Sequence, residues 1–276
     1  MRIDFTKMHG LGNDFIVLNL PADAGLPSAA QWRALADRHS GIGFDQALVL
    51  LPPRRSDTDV FYRVFNADGG EVEQCGNGAR CVAALLHRRG RAHDGTLAMD
   101  SVGGVLRARV LEDGRVSVDM GVPNFDPASL PFDAPAPSAT YSIACAGENI
   151  EFGAVSLGNP HAVLRVEAVE SAPVARIGQA LQASPHFPRQ VNVGFMQIMH
   201  AGQIRLRVFE RGVGETLACG TGACAAVAVG RSLGLLGADV EVRVPGGALS
   251  VHWDGPGHSV WLTGPAQQSF EGRVEI

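Results

Sequence analysis

Two of the five cysteines stand where a thiol could carry out acid–base chemistry. Cys75 and Cys219 each come directly before a Gly-x-Gly-Ala sequence and a short, almost wholly apolar segment that predicts a helix buried on all sides. The start of a helix carries unpaired backbone N–H groups and partial positive charge, so a thiol there ionises more easily and a carboxylate can bind beside it. The alternative interpretation is a strand-to-helix turn in which the glycines adopt positive φ angles.

The chain contains the same motifs twice, in the same order. Arg63–Phe65 recurs as Arg207–Phe209, and Cys75 recurs as Cys219, both after 144 residues (207 − 63 and 219 − 75). Further pairs are Gly12-Asn13 with Gly158-Asn159, Gly43-Phe44-Asp45-Gln46 with Gly194-Phe195-Met196-Gln197, and Gly103-Gly104-Val105-Leu106 with Gly246-Gly247-Ala248-Leu249. The sequence therefore predicts two copies of one unit, joined near the proline-rich stretch from Pro123 to Pro137.

Each copy is predicted to fold as a sheet around a helix. Alternating or apolar runs indicate strands, a short amphipathic run indicates a helix that stops at Gly41, and two apolar segments indicate buried helices that end at Gly90 and Gly234. The strands are Phe15–Leu18, Val60–Phe65, Val116–Asp119 and Val240–Val244; the helices are Gln31–His39, Cys81–Leu86 and Ala223–Val229. We therefore expect an α+β chain of two similar halves, each a mixed or antiparallel sheet curled around a central buried helix.

Two thiols at matched helix starts suit the inversion of a stereocentre. A pseudo-twofold arrangement of the copies would let Cys75 and Cys219 face one substrate from opposite sides. One thiolate could then remove a proton while the other thiol returns one, and the helix starts would stabilise the negative charge that develops on a neighbouring carboxylate. Cys81, Cys145 and Cys224 lack this context and are expected to be core residues.

The composition argues against several other classes of protein. Lys7 is the only lysine, which disfavours a pyridoxal-phosphate enzyme, and no C-x-x-C sequence occurs, which disfavours a zinc ribbon. The net charge of −5 disfavours a general nucleic-acid binder. No apolar run reaches ~18 residues and no signal peptide is recognisable, so we expect no membrane span and a cytoplasmic location.

Matched polar residues complete the pattern. Asn66 and Glu210 occupy equivalent places but differ in type, as the two unlike ends of a substrate would require. Glu210 and Arg211 could bind the ammonium and carboxylate groups of an amino-acid head, or they could be a surface ion pair. His161, in the turn that begins at Gly158, could tune the pKa of a thiol, or it could be a solvated turn residue.

Longer motifs resemble the diaminopimelate epimerase family. They are Lys7-Met8-His9-Gly10-Leu11-Gly12-Asn13-Asp14-Phe15, Phe65-Asn66-Ala67-Asp68-Gly69, Gln74-Cys75-Gly76-Asn77-Gly78-Ala79-Arg80-Cys81, Gly158-Asn159-Pro160-His161, Glu210-Arg211-Gly212 and Ala218-Cys219-Gly220-Thr221-Gly222-Ala223. The similarity continues to Gly264-Pro265-Ala266 and so covers nearly the whole chain. It implies a cytoplasmic, cofactor-independent isomerase that interconverts LL- and meso-2,6-diaminopimelate for lysine and peptidoglycan synthesis.

The resemblance also implies roles for individual residues. Cys75 and Cys219 would be the two acid–base thiols, with His161 and Glu210 beside them to tune their pKa values. Backbone amides at Gly76, Asn77, Gly220 and Thr221 would hold the reacting carboxylate. The other residues implied to bind the substrate are Asn13, Gln46, Asn66, Asn159, Asn192, Glu210 and Arg211.

At the level of the whole molecule, the resemblance implies two α+β halves with exchanged C-terminal strands. The expected halves are residues 1–120 with 265–276, and residues 121–264. A homodimer is expected, with Phe270 at the place of a tyrosine that supports the dimer in many members. We expect a small-molecule substrate, and neither a cofactor, a metal, a nucleic acid nor a membrane as partner.

Two alternatives remain open at this stage. A proline racemase would share the fold and the two-thiol chemistry but would not need the pair Glu210 and Arg211. A binding or redox module could instead use Cys75 and Cys219 as a regulatory disulfide.

Overall fold

The computed structural model describes residues 2–20, 25–72, 75–134, 136–145 and 147–275. The chain divides into two compact units. Unit 1 is Met1–Val118 with Gly264–Ile276, and unit 2 is Asp119–Thr263. Gln74 of the first cysteine motif and Pro135 of the proline-rich stretch lie outside the described residues.

The described residues form strands and helices in the following order. The strands are β1 (Arg2–Gly10), β2 (Asn13–Asn19), β3 (Gln46–Leu51), β4 (Val60–Asn66), β5 (Glu71–Val72), β6 (Thr96–Ser101), β7 (Gly104–Val110), β8 (Val116–Asp119), β9 (Tyr141–Cys145), β10 (Glu148–Ser156), β11 (Pro160–Arg165), β12 (Asn192–His200), β13 (Gln203–Glu210), β14 (Gly214–Thr216), β15 (Asp239–Val244), β16 (Gly247–Trp253), β17 (Val260–Gly264) and β18 (Gln267–Glu275). The helices are α1 (Ala29–Ala36), α2 (Gly76–Arg88), α3 (Val174–Gln182) and α4 (Gly220–Ser232), with a 3-10 turn at Pro127–Ser129. None of the helices in the described ranges is long and apolar enough to cross a membrane.

Unit 1 is a mixed sheet with a helix on each face. Its strands lie in the order β18-β1-β2-β3-β4-β6-β7-β8, and the short β5 pairs with β4. The β2–β3 and β4–β6 pairs are parallel, and the other pairs are antiparallel. Helix α2 lies close to Leu48, whereas α1 packs on the opposite face with Ala47 and Val49.

Unit 2 repeats this topology strand for strand. Its order is β9-β10-β11-β12-β13-β15-β16-β17, with β14 on β13, and the β11–β12 and β13–β15 pairs are parallel. Helix α4 lies on the face of Val208, and α3 packs against Phe209 on the other face. Two similar halves, each a mixed sheet around a buried helix, are thereby confirmed.

Both central helices are buried and end in the same way. In α2 the buried stretch runs from Gly76 to Leu86, and in α4 it runs from Gly220 to Gly230 with only Thr221 partly exposed. Gly90 and Gly234 have φ angles of 70° and 72°. The amides at and after each glycine bond back to the last turn, which satisfies its carbonyls as in a Schellman motif. The predicted ends of these helices are confirmed.

Helix α1 starts and stops earlier than predicted. Ser28 caps it at the N-terminus, and the Gln31 side chain accepts hydrogen bonds from Ser28 in return. At the other end, the Asp37 carboxylate accepts the N–H groups of His39 and Ser40, so these residues form a turn instead of helix.

Strand register corrects one predicted equivalence between the copies. Phe15 pairs with Gln46 in unit 1, and His161 pairs with Asn192 in the corresponding place of unit 2. Gln46 is therefore equivalent to Asn192, and its predicted match with Gln197 is wrong. The two matches differ by five residues, and an odd shift along a strand turns every side chain to the other face of the sheet.

Candidate active site

Cys75 lies at the start of α2. Its backbone is extended (φ −141°, ψ 113°), and its sulfur accepts a hydrogen bond from Gly78 N–H at 3.5 Å. The residue is partly exposed. Its thiol therefore lies among the amide groups that stabilise negative charge at a helix start.

The glycines three residues after each cysteine lie where a side chain would have little space. A Cβ atom on Gly78 would lie 2.9 Å from Leu48 Cδ2, and one on Gly222 would lie 3.0 Å from Val208 Cγ2 and 3.3 Å from Cys219 Sγ. Neither glycine has a positive φ. The alternative of turns that depend on positive φ is therefore wrong at these two positions, and close approach of helix and sheet is the reason for glycine.

The side chain of Asn13 lies beside the thiol of Cys75 and is itself bonded to Asn77. Asn13, at the start of β2, places Oδ1 3.9 Å from Cys75 Sγ and accepts a hydrogen bond from Asn77 Nδ2 at 3.1 Å. Asn77 is only 4% exposed. Three residues predicted to act together are thus brought into contact within one unit.

Gln46 and Asn66 form a second polar pair in unit 1. They lie opposite each other on β3 and β4, and Gln46 Nε2 donates to Asn66 Oδ1 at 2.9 Å. Both side chains are half-buried. This pairing leaves the side-chain nitrogen of Asn66 and the side-chain oxygen of Gln46 available to other hydrogen-bond partners.

Cys219 lies at the start of α4 and faces a carboxylate. It is 4% exposed, and its Sγ donates to Glu210 Oε2 at 2.9 Å. Thr216 donates its hydroxyl to Glu210 Oε1 at 2.5 Å, which fixes the carboxylate. Burial, followed by the charge of Glu210, raises the pKa of Cys219 well above its ordinary value. Cys219 is therefore a protonated thiol with a base in direct contact.

His161 is neutral and orients Asn159. The ring is 1% exposed, and burial, followed by the charge of Arg211, lowers the pKa of His161 to about 3. His161 Nε2 lies 3.0 Å from Asn159 Oδ1, so this nitrogen carries the hydrogen and donates it. Asn159 Nδ2 in turn donates to Thr221 Oγ1 at 3.3 Å, and that hydroxyl lies 3.7 Å from Cys219 Sγ.

Asn192 joins the strand that carries His161 to the turn that carries Arg211. It is 4% exposed, its Nδ2 donates to the Pro160 carbonyl at 3.1 Å, and its Oδ1 accepts from Arg211 N–H at 2.9 Å. The exposed Arg211 guanidinium donates to the Arg189 carbonyl at 3.3 Å. Across the described ranges, no three His, Cys, Asp or Glu side chains form a group that could hold a metal ion.

The repeated arginines have a role that the sequence analysis did not assign. Arg63 makes a two-pronged ion pair with Glu71 at 2.7 and 2.6 Å, and Arg207 makes the same pair with Glu215 at 2.6 and 2.9 Å. Each pair fastens β5 or β14 to the neighbouring long strand, four residues before a cysteine. The equal spacing of arginine and glutamate in the two copies is the sequence signal that would have revealed it.

Comparison with known proteins identifies the family. The family model for diaminopimelate epimerase matches residues 5–125 and 153–269. The chain is 50% identical over 278 residues to the diaminopimelate epimerase of Alkalilimnicola ehrlichii and 53% identical over 283 residues to that of Thioalkalivibrio sulfidiphilus, with all of both chains covered in each case. The chain belongs to the diaminopimelate epimerase family. The recognition made from the sequence motifs is thereby confirmed.

Solved structures extend the similarity in fold beyond this family. A probable proline racemase from Agrobacterium radiobacter matches 99% of this chain with a TM-score of 0.70, and 93% of that chain is covered. The two sequences are only 18% identical. This chain thus shares its α+β architecture with a protein of low sequence identity, and the assignment to the diaminopimelate epimerase family rests on the sequence matches.

Proposed function

We propose that this protein interconverts LL- and meso-2,6-diaminopimelate by proton transfer at one α-carbon. The thiolate of one cysteine, Cys75 or Cys219, takes the α-proton from one face, and the thiol of the other gives a proton to the opposite face of the carbanion. The observation that carries the proposal is the Cys219 thiol held 2.9 Å from the Glu210 carboxylate at a helix start, in a fold that places Cys75 equivalently. Glu210 can accept the proton of Cys219 and so generate the thiolate.

The helix starts account for the binding of the reacting carboxylate. The first amides of α2, at Gly76 and Asn77, and of α4, at Gly220 and Thr221, precede the first intrahelical hydrogen bonds. We assign them to the α-carboxylate, on which negative charge grows as the α-proton leaves. Donors fixed in place before the reaction stabilise that charge without reorganisation.

The remaining polar side chains are assigned to the amino-acid heads of the substrate. Those proposed to contact it are Asn13, Gln46, Asn66, Asn159, Asn192, Glu210 and Arg211. The neutral His161 contributes by fixing the amide of Asn159, and Glu210 tunes the pKa of Cys219. No cofactor or metal takes part in this scheme, and we place the reaction in the cytoplasm.

Isotope incorporation and single variants test the two-thiol scheme. In deuterated water, the product from either epimer should acquire deuterium at the inverted carbon early, while the remaining substrate acquires it much more slowly. Cys75→Ser and Cys219→Ser should each nearly abolish inversion, because a serine hydroxyl is a far weaker acid. Chiral chromatography measures the inversion. A near wild-type rate of inversion in either variant would falsify the scheme.

Substrate choice separates this activity from that of the distant relatives. Free proline and alanine should be very poor substrates, because they lack the distal amino-acid head. Arg211→Ala should raise the KM for diaminopimelate, since a lost charged hydrogen bond is worth about 1.5–3 kcal/mol. Efficient racemisation of proline would contradict the proposed substrate.

We also propose that the enzyme is a homodimer with Phe270 at the interface. Phe270 is 49% exposed on β18 and packs edge-on against Phe5 at 6.0 Å, so a large aromatic surface stays uncovered. Phe270→Asp should shift the protein towards monomer in sedimentation velocity, whereas Val213→Asp, at another exposed apolar residue, should not. A dimer of unchanged strength in Phe270→Asp would contradict this assignment.

A further inference from the structure

Two asparagine side chains beside Cys75, Asn13 and Asn77, are hydrogen-bonded in series between two charged residues. Arg80, which is fully buried, donates from Nη2 to Asn77 Oδ1 at 2.7 Å. Asn77 Nδ2 donates to Asn13 Oδ1 at 3.1 Å, and Asn13 Nδ2 donates to Asp45 Oδ2 at 2.9 Å. Four side chains therefore form one continuous series of hydrogen bonds, from a guanidinium to a carboxylate.

The chemistry of the two ends gives this series one direction. A guanidinium only donates hydrogen bonds and an ionised carboxylate only accepts them, whereas an amide can present either its oxygen or its nitrogen. Arg80 therefore turns the oxygen of Asn77 towards itself, and Asp45 turns the nitrogen of Asn13 towards itself. The inner ends, Asn77 Nδ2 and Asn13 Oδ1, are then complementary. Reversing either amide would set two donors or two acceptors against each other.

The fixed direction decides which atom of Asn13 faces the thiol. With its nitrogen held by Asp45, Asn13 presents Oδ1 to Cys75 Sγ at 3.9 Å. An oxygen there accepts the thiol hydrogen, while a reversed amide would present a donor to the sulfur instead. The orientation of one amide thus sets the hydrogen-bonding state of a proposed acid–base group.

We infer that Asp45 and Arg80 are positioning residues that act on Cys75 through Asn13 and Asn77. The inference rests on the proposed function, in which Cys75 exchanges protons with the substrate. Neither residue belongs to the set proposed to bind substrate or transfer protons. Each acts by removing the freedom of an amide to turn over, so that the thiol meets a hydrogen-bond acceptor in every catalytic cycle.

Asp45 offers the cleaner test because its side chain is 42% exposed and can be shortened without opening a core cavity. Its other contacts are Arg38 Nη2 on Oδ1 at 2.7 Å and Asp14 N–H on Oδ2 at 3.1 Å. Arg38→Gln removes this ion pair, together with the two bonds from Arg38 to the Asp14 carboxylate, and leaves the bond from Asn13 to Asp45 in place. This variant is therefore the matched control for a merely structural effect of losing the charge pair.

The first measurement needs no turnover. In nuclear magnetic resonance spectra of protein with ¹⁵N-labelled side-chain amides, Asp45→Ala should move the Asn13 resonance and speed its hydrogen exchange with water. The side-chain amide of Gln203, which donates to Glu241 Oε1 at 2.8 Å in unit 2, serves as the internal reference and should not change. An unchanged Asn13 resonance in Asp45→Ala would overturn the inference, whatever reaction the protein catalyses.

The second measurement separates positioning from substrate binding and from stability. Asp45→Ala should lower kcat for diaminopimelate about tenfold with KM changed less than about twofold, in the range expected when a reacting group is misplaced. Arg38→Gln should keep kcat near the wild-type value, and Arg80→Lys, which retains a donor-only group, should keep more activity than Arg80→Gln. An unchanged kcat in Asp45→Ala, or an equal loss in Arg38→Gln, would overturn the inference. If the wild type does not turn over diaminopimelate, the proposed function fails and the resonance experiment still decides the amide arrangement.

Discussion

At the residue scale, the two cysteines have different partners despite their equivalent places. Cys219 touches the carboxylate of Glu210 at 2.9 Å, whereas Cys75 lies 3.9 Å from the neutral oxygen of Asn13. A carboxylate can take a thiol proton and an amide oxygen cannot. The pair of Cys219 and Glu210 therefore brings a thiol into direct contact with a group that can act as its base.

Removing the carboxylate should lower the pKa of Cys219. The negative charge of Glu210 and its hydrogen bond both favour the protonated thiol, so Glu210→Gln should move the midpoint of Cys219 alkylation by iodoacetamide to lower pH. Epimerisation should nevertheless slow, because the group that takes the thiol proton is lost. Peptide mass spectrometry follows each cysteine separately. Glu148→Gln, which removes the carboxylate of an exposed ion pair with Arg176 elsewhere in unit 2, is the control, and an unmoved midpoint in Glu210→Gln would contradict the argument.

Single-residue chemistry was partly predictable from the sequence. The cysteines and Glu210 could be found because a motif repeated at one spacing marks equivalent places. Asp45 and Arg80 stand inside recognised motifs, yet their contacts to Asn13 and Asn77 depend on where β2 and α2 meet in space. Hydrogen bonds between residues far apart along the chain produce no periodic pattern in the sequence. The roles of Asp45 and Arg80 could therefore be inferred only from the structure.

At the element scale, a short hairpin leads into each cysteine and is fastened by an arginine. Arg63 forms an ion pair with Glu71 of β5, and Arg207 forms one with Glu215 of β14. All four side chains are only about a quarter to a third exposed. With only three residues, β14 has few ladder hydrogen bonds to hold it in place. The ion pair adds a constraint on the segment that leads into the cysteine and the helix that follows it.

Loss of one of these ion pairs should destabilise the unit measurably. Arg63→Gln should lower the free energy of unfolding by about 1 kcal/mol, since it breaks a half-buried bidentate pair. Arg55→Gln, which breaks the exposed pair with Asp57, should cost close to nothing. Urea unfolding compares the two variants directly, and equal effects would show that the Arg63 pair is only a surface contact. Arg63→Lys should not restore stability, because an ammonium cannot make both bonds.

Besides the bounds of α1, the sequence misassigned one strand register. A four-residue likeness around Gln197 suggested a match with Gln46, but the hydrogen-bonded ladders place Asn192 there. Register is determined by the pairing of neighbouring strands over their whole length. A short similarity in residue type carries little information about it, whereas the buried helices and their glycine ends followed from local preference alone.

At the scale of the whole molecule, buried ionisable groups should limit stability at both ends of the pH range. The pKa of His161 is lowered to about 3 in the folded protein. The unfolded chain therefore binds a proton at His161 near pH 6.5, whereas the folded protein does not. As a result, stability is lost as the pH falls from 6.5 towards 3. Burial raises the pKa of the Cys81 thiol to about 12, so stability is lost as the pH rises above about 9.

Two variants isolate these contributions. Between pH 7 and pH 5, the free energy of unfolding of the wild type should fall by about 2 kcal/mol more than that of His161→Gln. Between pH 8 and pH 10, it should fall by about 1.4 kcal/mol more than that of Cys81→Ala. Denaturant unfolding at each pH measures both differences. Parallel pH curves for wild type and variant would show that the residue titrates alike in the folded and unfolded chain.

The strand β18 has a consequence for synthesis on the ribosome. Its residues lie along β1, with Arg2 opposite Glu275, whereas β9, the equivalent strand of unit 2, directly precedes its partner β10. Unit 1, most of which is translated first, is therefore complete only after β18 has left the exit tunnel. Until then, the edge of β1 is uncovered. Unit 2, translated second, holds all its strands in one continuous segment, so its sheet can close before that of unit 1.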